Sequence, residues 1–214
     1  MKKLKKEKTK RNKSQLIEIG SFLILILCFG VISYQIYSNN QKDQINDNLI
    51  QEYFEEEVIP DESEEVREEA IEPEEKTEVN YEKYIGVLEI DKLNIKRGFY
   101  PKTSSNNNVN RNIKILNESD MPDKENGNVI IAAHSGNSYV SFFKNLNKLN
   151  NGDIAKIFYD GKTYSYSLMN RYEIEKNGTA HIVRNAYKNT LTLITCKHNT
   201  NKQIVFIFEL NEIN

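Results

Sequence analysis

Cysteine is nearly absent from this sequence: Cys28 and Cys196 are the two that occur. They fall in segments of opposite character, an apolar run and a β-rich domain, and cannot pair within one chain, so no disulfide framework holds the fold. Paired zinc motifs are lacking too. With no second Cys-x-x-Cys or His-x-x-x-His pair, a metal would have to use the scattered groups Cys196, His198 and His134. There is no basic patch interleaved with aromatics, no nucleic-acid motif and no internal repeat, so nucleic acid is not an expected partner. No acid cluster suggests calcium, and no cofactor is expected.

Charge is absent from 19–37, "IGSFLILILCFGVISYQIY". Nineteen residues at ~1.5 Å rise give roughly 28 Å of helix, close to the hydrocarbon thickness of a bilayer. Residues 15–38 therefore read as a transmembrane helix. The preceding residues 1–14 are a basic tail, with eight Lys or Arg and one acid, Glu7, in 2–13. Such a tail stays in the cytoplasm, which places the C-terminal domain outside the cell in a single-pass arrangement. A cleaved signal peptide is the alternative, but the run is long for one and no small-x-small site follows it.

Basic residues then become scarce. From 51 to 80, fourteen Asp or Glu face Arg67 and Lys76, and two of the four prolines fall here. A segment of this kind buries too little apolar surface to offset its ordering entropy and repels itself. Residues 39–80 read as an acidic, disordered stalk. Residues 81–214 form one domain, mildly basic at about +5 from 18 Lys or Arg and 13 Asp or Glu.

The domain is dominated by hydrophobic alternation and β-branched residues. Strands are expected at 84–90, 93–100, 127–134, 179–183, 190–196 and 202–210, and a short strand or half-turn at 112–116. Asp160-Gly161 sits between alternating runs within 152–174 and predicts a hairpin. Residues 139–149, "YVSFFKNLNKL", place Val140, Phe143, Leu146 and Leu149 at helical spacing and predict a short amphipathic helix. Seven or eight short strands with one or two helices suggest an all-β, closed or nearly closed barrel.

His134 ends one apolar strand and Cys196 ends another. Two strand ends opening on the same rim bring an imidazole and a thiol together, and that pair performs acyl transfer. A third group must stabilise the oxyanion. Taken alone, a histidine on an apolar strand is more often a core residue, and a lone cysteine more often filler.

The pentapeptide "TLITC", Thr192 to Cys196, resembles the Thr-Leu-x-Thr-Cys signature of sortases, the cysteine transpeptidases of Gram-positive cell surfaces. "GNVIIAAHSG" resembles the segment around the sortase histidine, and "YIGVLEIDKLNIKRGFY" the opening strands. The order of the two residues and the basic tail, anchor, stalk and C-terminal barrel are similar as well. The resemblance implies an eight-stranded β-barrel that cleaves a Leu-Pro-x-Thr-Gly-like sorting signal near the C-terminus of a secreted protein. The acyl group passes through a thioester to a peptidoglycan precursor or another amine. Cys196 matches the nucleophile and His134 the acid/base. Thr195 and Thr192 are candidates for substrate binding.

One family feature is missing. The third catalytic residue of sortases is an arginine at the start of the last strand, and no arginine follows Cys196. Lys202 stands at or next to that position and is the candidate for its charge, without the planar fork of a guanidinium. Arg184 has no motif support. Ala133 stands where glycine is common. His198 and His181 rank below His134. The short segment 172–189 leaves little room for the long helix of class B enzymes, and no Asp-Pro-aromatic lid is present, so a housekeeping-like or class D-like enzyme is favoured. A papain-type protease is disfavoured by the order of the two residues and by the absence of its local Cys motif. The alternative of another class is a sortase-like module that binds sorting signals or cell wall without turnover.

Overall fold

A computed structural model describes residues 2–58 and 82–214, with side chains described for 18–56 and 82–214. Helix α1 runs Lys2–Val58. Its stretch from Glu18 is long and apolar enough to cross a membrane, and Phe22, Leu25, Leu27 and Phe29 there are exposed. The helix continues through 39–58, the described part of the expected stalk; residues 59–81 lie outside the described residues.

Two compact units are distinguished, Met1–Ile45 and Asn46–Asn214. The second therefore includes the last turns of α1. Asn46, Leu49, Ile50 and Tyr53 are all buried and stand at i, i+3, i+4 and i+7, the stripe of an amphipathic helix. Tyr84 Oη donates to Asn46 Oδ1 (3.2 Å), Phe54 meets Phe158 edge-to-face at 5.1 Å, and Lys83 pairs with Glu52 and Glu56. The acids of this segment are its outer face, which is why composition alone reads it as a solvated stalk. Gly98 makes the docking possible, because a Cβ there would lie 1.9 Å from the Tyr84 ring.

The remainder is one eight-stranded sheet closed into a nearly complete barrel. Its strands are β1 Gly86–Ile90, β2 Ile95–Phe99, β3 Lys114–Ile115, β4 Asn128–Ala132, β5 Ile154–Tyr159, β6 Lys162–Glu175, β7 Thr190–Cys196 and β8 Lys202–Ile213, in the order β2-β1-β5-β6-β8-β7-β4-β3. The β5–β6 hairpin turns at Asp160 (φ 51°) and Gly161 (φ 67°), the pair of positive angles expected of an Asp-Gly turn. Leu88, Ile131, Tyr166, Leu193, Phe206 and Phe208 are among the side chains that fill the interior.

Two expected elements take other forms. Residues 139–149 make turns and a single 3-10 turn, Leu146–Lys148. Phe143, Leu146 and Leu149 are buried as the apolar spacing requires. However, Phe143 N–H is drawn to His134 O (3.0 Å), and Arg171 Nη1 takes the carbonyls of Asn147 (2.9 Å) and Leu149 (3.2 Å). Together with successive three-residue turns such as Lys144 N–H to Ser141 O and Leu149 N–H to Leu146 O, these bonds stand in for the ladder of a helix too short to be stable alone. Residues 179–183 form no strand; there Tyr172 Oη donates to His181 O (3.0 Å) and accepts from Val183 N–H (2.7 Å), in place of a sheet partner.

Candidate active site

β4 and β7 run parallel, with Asn128 opposite Thr190 and Ala132 opposite Ile194. The same offset separates His134 from Cys196. Ala133 N–H continues the ladder to Ile194 O (3.2 Å), and Thr195 Oγ1 donates to Ala133 O (2.8 Å). Neighbours across a sheet share a face and successive residues alternate. Ala133 and Thr195 point inward, where both are buried. His134 and Cys196 thus project together on the outer face, and both are half-buried. Ser135 Oγ donates to Cys196 O, and Phe143 N–H holds His134 O, so the backbone on each side of the pair is fixed.

β8 adds the third side. Cys196 lies opposite Gln203, and the next pair outward is bonded through Lys197 N–H and Lys202 O (2.8 Å). Bonded and non-bonded pairs alternate in an antiparallel ladder, which makes Cys196–Gln203 a non-bonded pair, the kind with the closest side chains. Below it on the same face lie Ile130, Ile194, Val205 and Ile207, a small apolar cluster flanked by Ala132, Tyr172, Ala180 and Ile182. An apolar lane therefore leads to a thiol, an imidazole and a carboxamide.

Lys202 is placed differently from the expectation. It is opposite Glu175 on β6, alternates with Gln203, and forms ion pairs with Glu173 (3.6 Å) and Glu175 (3.9 Å). Glu173 also binds Lys197, and these cations, Lys197 first, hold its carboxyl below the ordinary range. The residue beside the thiol is Gln203, which sequence reasoning passed over for its charged neighbour. The unbroken apolar run from Ile204 to Phe208 carries no alternation that would have singled it out. Thr192 lies on the face of the lane, between Ile130 and Ile207, whereas Thr195 points inward. Both are buried, with their hydroxyls on Asn128 Oδ1 (2.8 Å) and Ala133 O. Arg184 Nη1 is spent on the carbonyls of Asn185 and Lys188. His198 is exposed in the turn after β7, and His181 is exposed on the 176–189 segment. Among the described residues no group of His, Cys, Asp and Glu is placed to hold a metal.

His134 has one further partner. Its Nε2 lies 3.0 Å from Asn110 Oδ1, on the loop between β2 and β3.

The fold and these residues can be set beside known proteins. A family model described as Sortase domain matches residues 88–210. No curated protein matches the chain. Among solved structures, the chain is similar to sortase A from Corynebacterium diphtheriae, at TM-score 0.55 and 20% identity over 63% of this chain and 63% of that one. The match thus spans less than two thirds of the corynebacterial protein. It is also similar to Streptococcus pneumoniae sortase C, at TM-score 0.54 and 21% identity over 60% of this chain and 69% of that one. A third structure, the sortase D5 transpeptidase of Clostridium perfringens, gives TM-score 0.52 and 25% identity over 61% of this chain and 80% of that one. These structures share the barrel, and the family match, which takes in more than half of the sequence, contains both His134 and Cys196; the chain belongs to the sortase family.

Proposed function

We propose that this chain is a membrane-anchored cysteine transpeptidase that cleaves a Leu-Pro-x-Thr-Gly-like sorting signal and transfers the acyl group to a cell-wall amine. The observation that carries the reading is the outward rung of His134 and Cys196 at the end of an apolar lane. The Cys196 thiolate attacks the threonyl carbonyl carbon. A C–S bond forms, the C–N bond to glycine breaks, and the His134 imidazolium protonates the departing amine. An amine of a peptidoglycan precursor, or another amine acceptor, then attacks the thioester. His134 takes its proton, and the thiolate leaves.

In this reading Gln203, in register with the thiol, supplies the side-chain N–H donor to the oxyanion. A weak electrostatic share is left to Lys202, whose charge Glu173 and Glu175 already meet. Thr195 and Thr192 act through the strand they fix. The apolar stretch of α1 anchors the enzyme with its basic end in the cytoplasm and the barrel outside, where secreted proteins carrying sorting signals arrive.

A sortase-like module that binds without turnover is the second reading, motivated by the missing arginine after Cys196. The full chain in detergent, given a small library of Leu-Pro-x-Thr-Gly-like peptides and an amine acceptor, separates the two. Ligated product from wild type supports the transpeptidase. Peptide binding with no cleaved or ligated product supports the binding module.

A further inference from the structure

The loop that carries Asn110 is built from asparagines. Asn107, which is buried, exchanges two hydrogen bonds with Ile115: Oδ1 accepts from its N–H and Nδ2 donates to its carbonyl, both at 2.9 Å. Asn112, also buried, donates through Nδ2 to Gly98 O (2.7 Å). Between them Asn108 Oδ1 accepts from Asn110 N–H (2.9 Å), while its carbonyl accepts from Arg111 N–H (2.9 Å) and Asn112 N–H (2.8 Å). The backbone of Asn110 is therefore pinned from both sides to β2 and β3. From that mount its side chain reaches His134.

A carboxamide oxygen accepts and cannot donate. Facing Nε2, it keeps a proton on that nitrogen in the neutral ring and accepts from it equally in the imidazolium. The ring orientation then survives a full cycle of proton transfer, and Nδ1 is left as the nitrogen that exchanges protons with the thiol and the amine. Setting the tautomer through the hydrogen bond at the other ring nitrogen is a general way to tune an imidazole.

We propose that Asn110 is a positioning residue that holds His134 in the Nε2–H tautomer. The catalytic half of the proposal rests on the transpeptidase reading above, whereas the tautomer half does not.

The test uses full-length protein in detergent, labelled with 15N-histidine. Three histidines are present, and His134→Ala identifies the signals of His134. Two readouts are taken on wild type, Asn110→Ala and Asn110→Asp: the 15N signature of the neutral tautomer, and the kinetics of peptide ligation. The expected wild-type signature is Nε2–H. Asn110→Ala is expected to mix the tautomers and to lower kcat about 10-fold with KM little changed, a modest part of what acid–base catalysis contributes. Asn110→Asp, which keeps an acceptor in place, is expected to restore the Nε2–H signature. An unchanged tautomer in Asn110→Ala overturns the proposal. So does a mixed tautomer with unchanged kcat. Wild type without any turnover overturns the enzymatic reading and the catalytic half with it, while the tautomer comparison still decides the contact.

Discussion

Cys196 and Gln203 face each other across β7 and β8 as a non-bonded antiparallel pair, one residue away from the Lys197–Lys202 pair that closes the ladder. This relationship separates two neighbours that sequence alone cannot rank. Lys202 carries the charge but lies in register with Glu175, whereas Gln203 is neutral and lies in register with the thiol.

Gln203→Ala is expected to lower kcat for peptide ligation by about 10- to 100-fold, near the low end of what losing one oxyanion donor costs. Lys202→Ala is expected to stay within about threefold of wild type, as an exposed ion pair contributes little. Steady-state kinetics on the two variants gives the ranking. A reversed order would return the third catalytic role to Lys202.

The end of α1 is expected to contribute to the stability of the barrel. Leu49→Ala removes a buried side chain and is expected to cost about 2–3 kcal/mol. Gln51→Ala, at an exposed position on the same turn, is expected to change stability by less than about 0.5 kcal/mol. Denaturant midpoints of the full chain in detergent measure both. Equal midpoints would mean that this helix contributes nothing to the fold.

Glu173 ties the turn after β7 to β6 through Lys197 and Lys202. Its carboxyl is held below the ordinary value of 4.5, first by the hydrogen bond from Lys197. A lowered folded-state pKa contributes stability that is complete above the unfolded value and is lost as pH falls through the folded one. The tie is therefore expected to persist through neutral and mildly acid pH and to release only below 4.5. Amide hydrogen exchange in 197–202, compared with Glu173→Gln at neutral pH, measures it. Release in wild type well above that pH, or no loss of protection in the variant, would contradict the assignment.

Much of the barrel is legible in the sequence because β6 alternates, β4 and β7 are short apolar runs, and Asp160-Gly161 declares its turn. β7 begins and ends where the pattern places it, at Thr190 and Cys196. Less visible are features that depend on distant partners. The buried stripe of Asn46, Leu49, Ile50 and Tyr53 is hidden in an acidic composition, since each charge there marks the outer face. The 139–149 segment has helical spacing but closes as successive turns, with Phe143 N–H drawn to His134 and the Asn147 carbonyl to Arg171. Asn110 belongs to a polar loop without periodicity, and nothing short of the folded loop brings it to His134.

The central claim is that Cys196, activated by His134, forms a thioester with a sorting signal. Intact mass of the full chain after exposure to a Leu-Pro-x-Thr-Gly-like peptide tests it most directly. Cys28→Ala serves as the background, so that Cys196 is the sole thiol, with Cys196→Ala and His134→Ala added separately. The account predicts an acyl adduct on the single-thiol protein that an amine releases, none with Cys196→Ala, and slow or absent formation with His134→Ala. A bound peptide that never becomes covalent, or an adduct that survives the loss of Cys196, would contradict it.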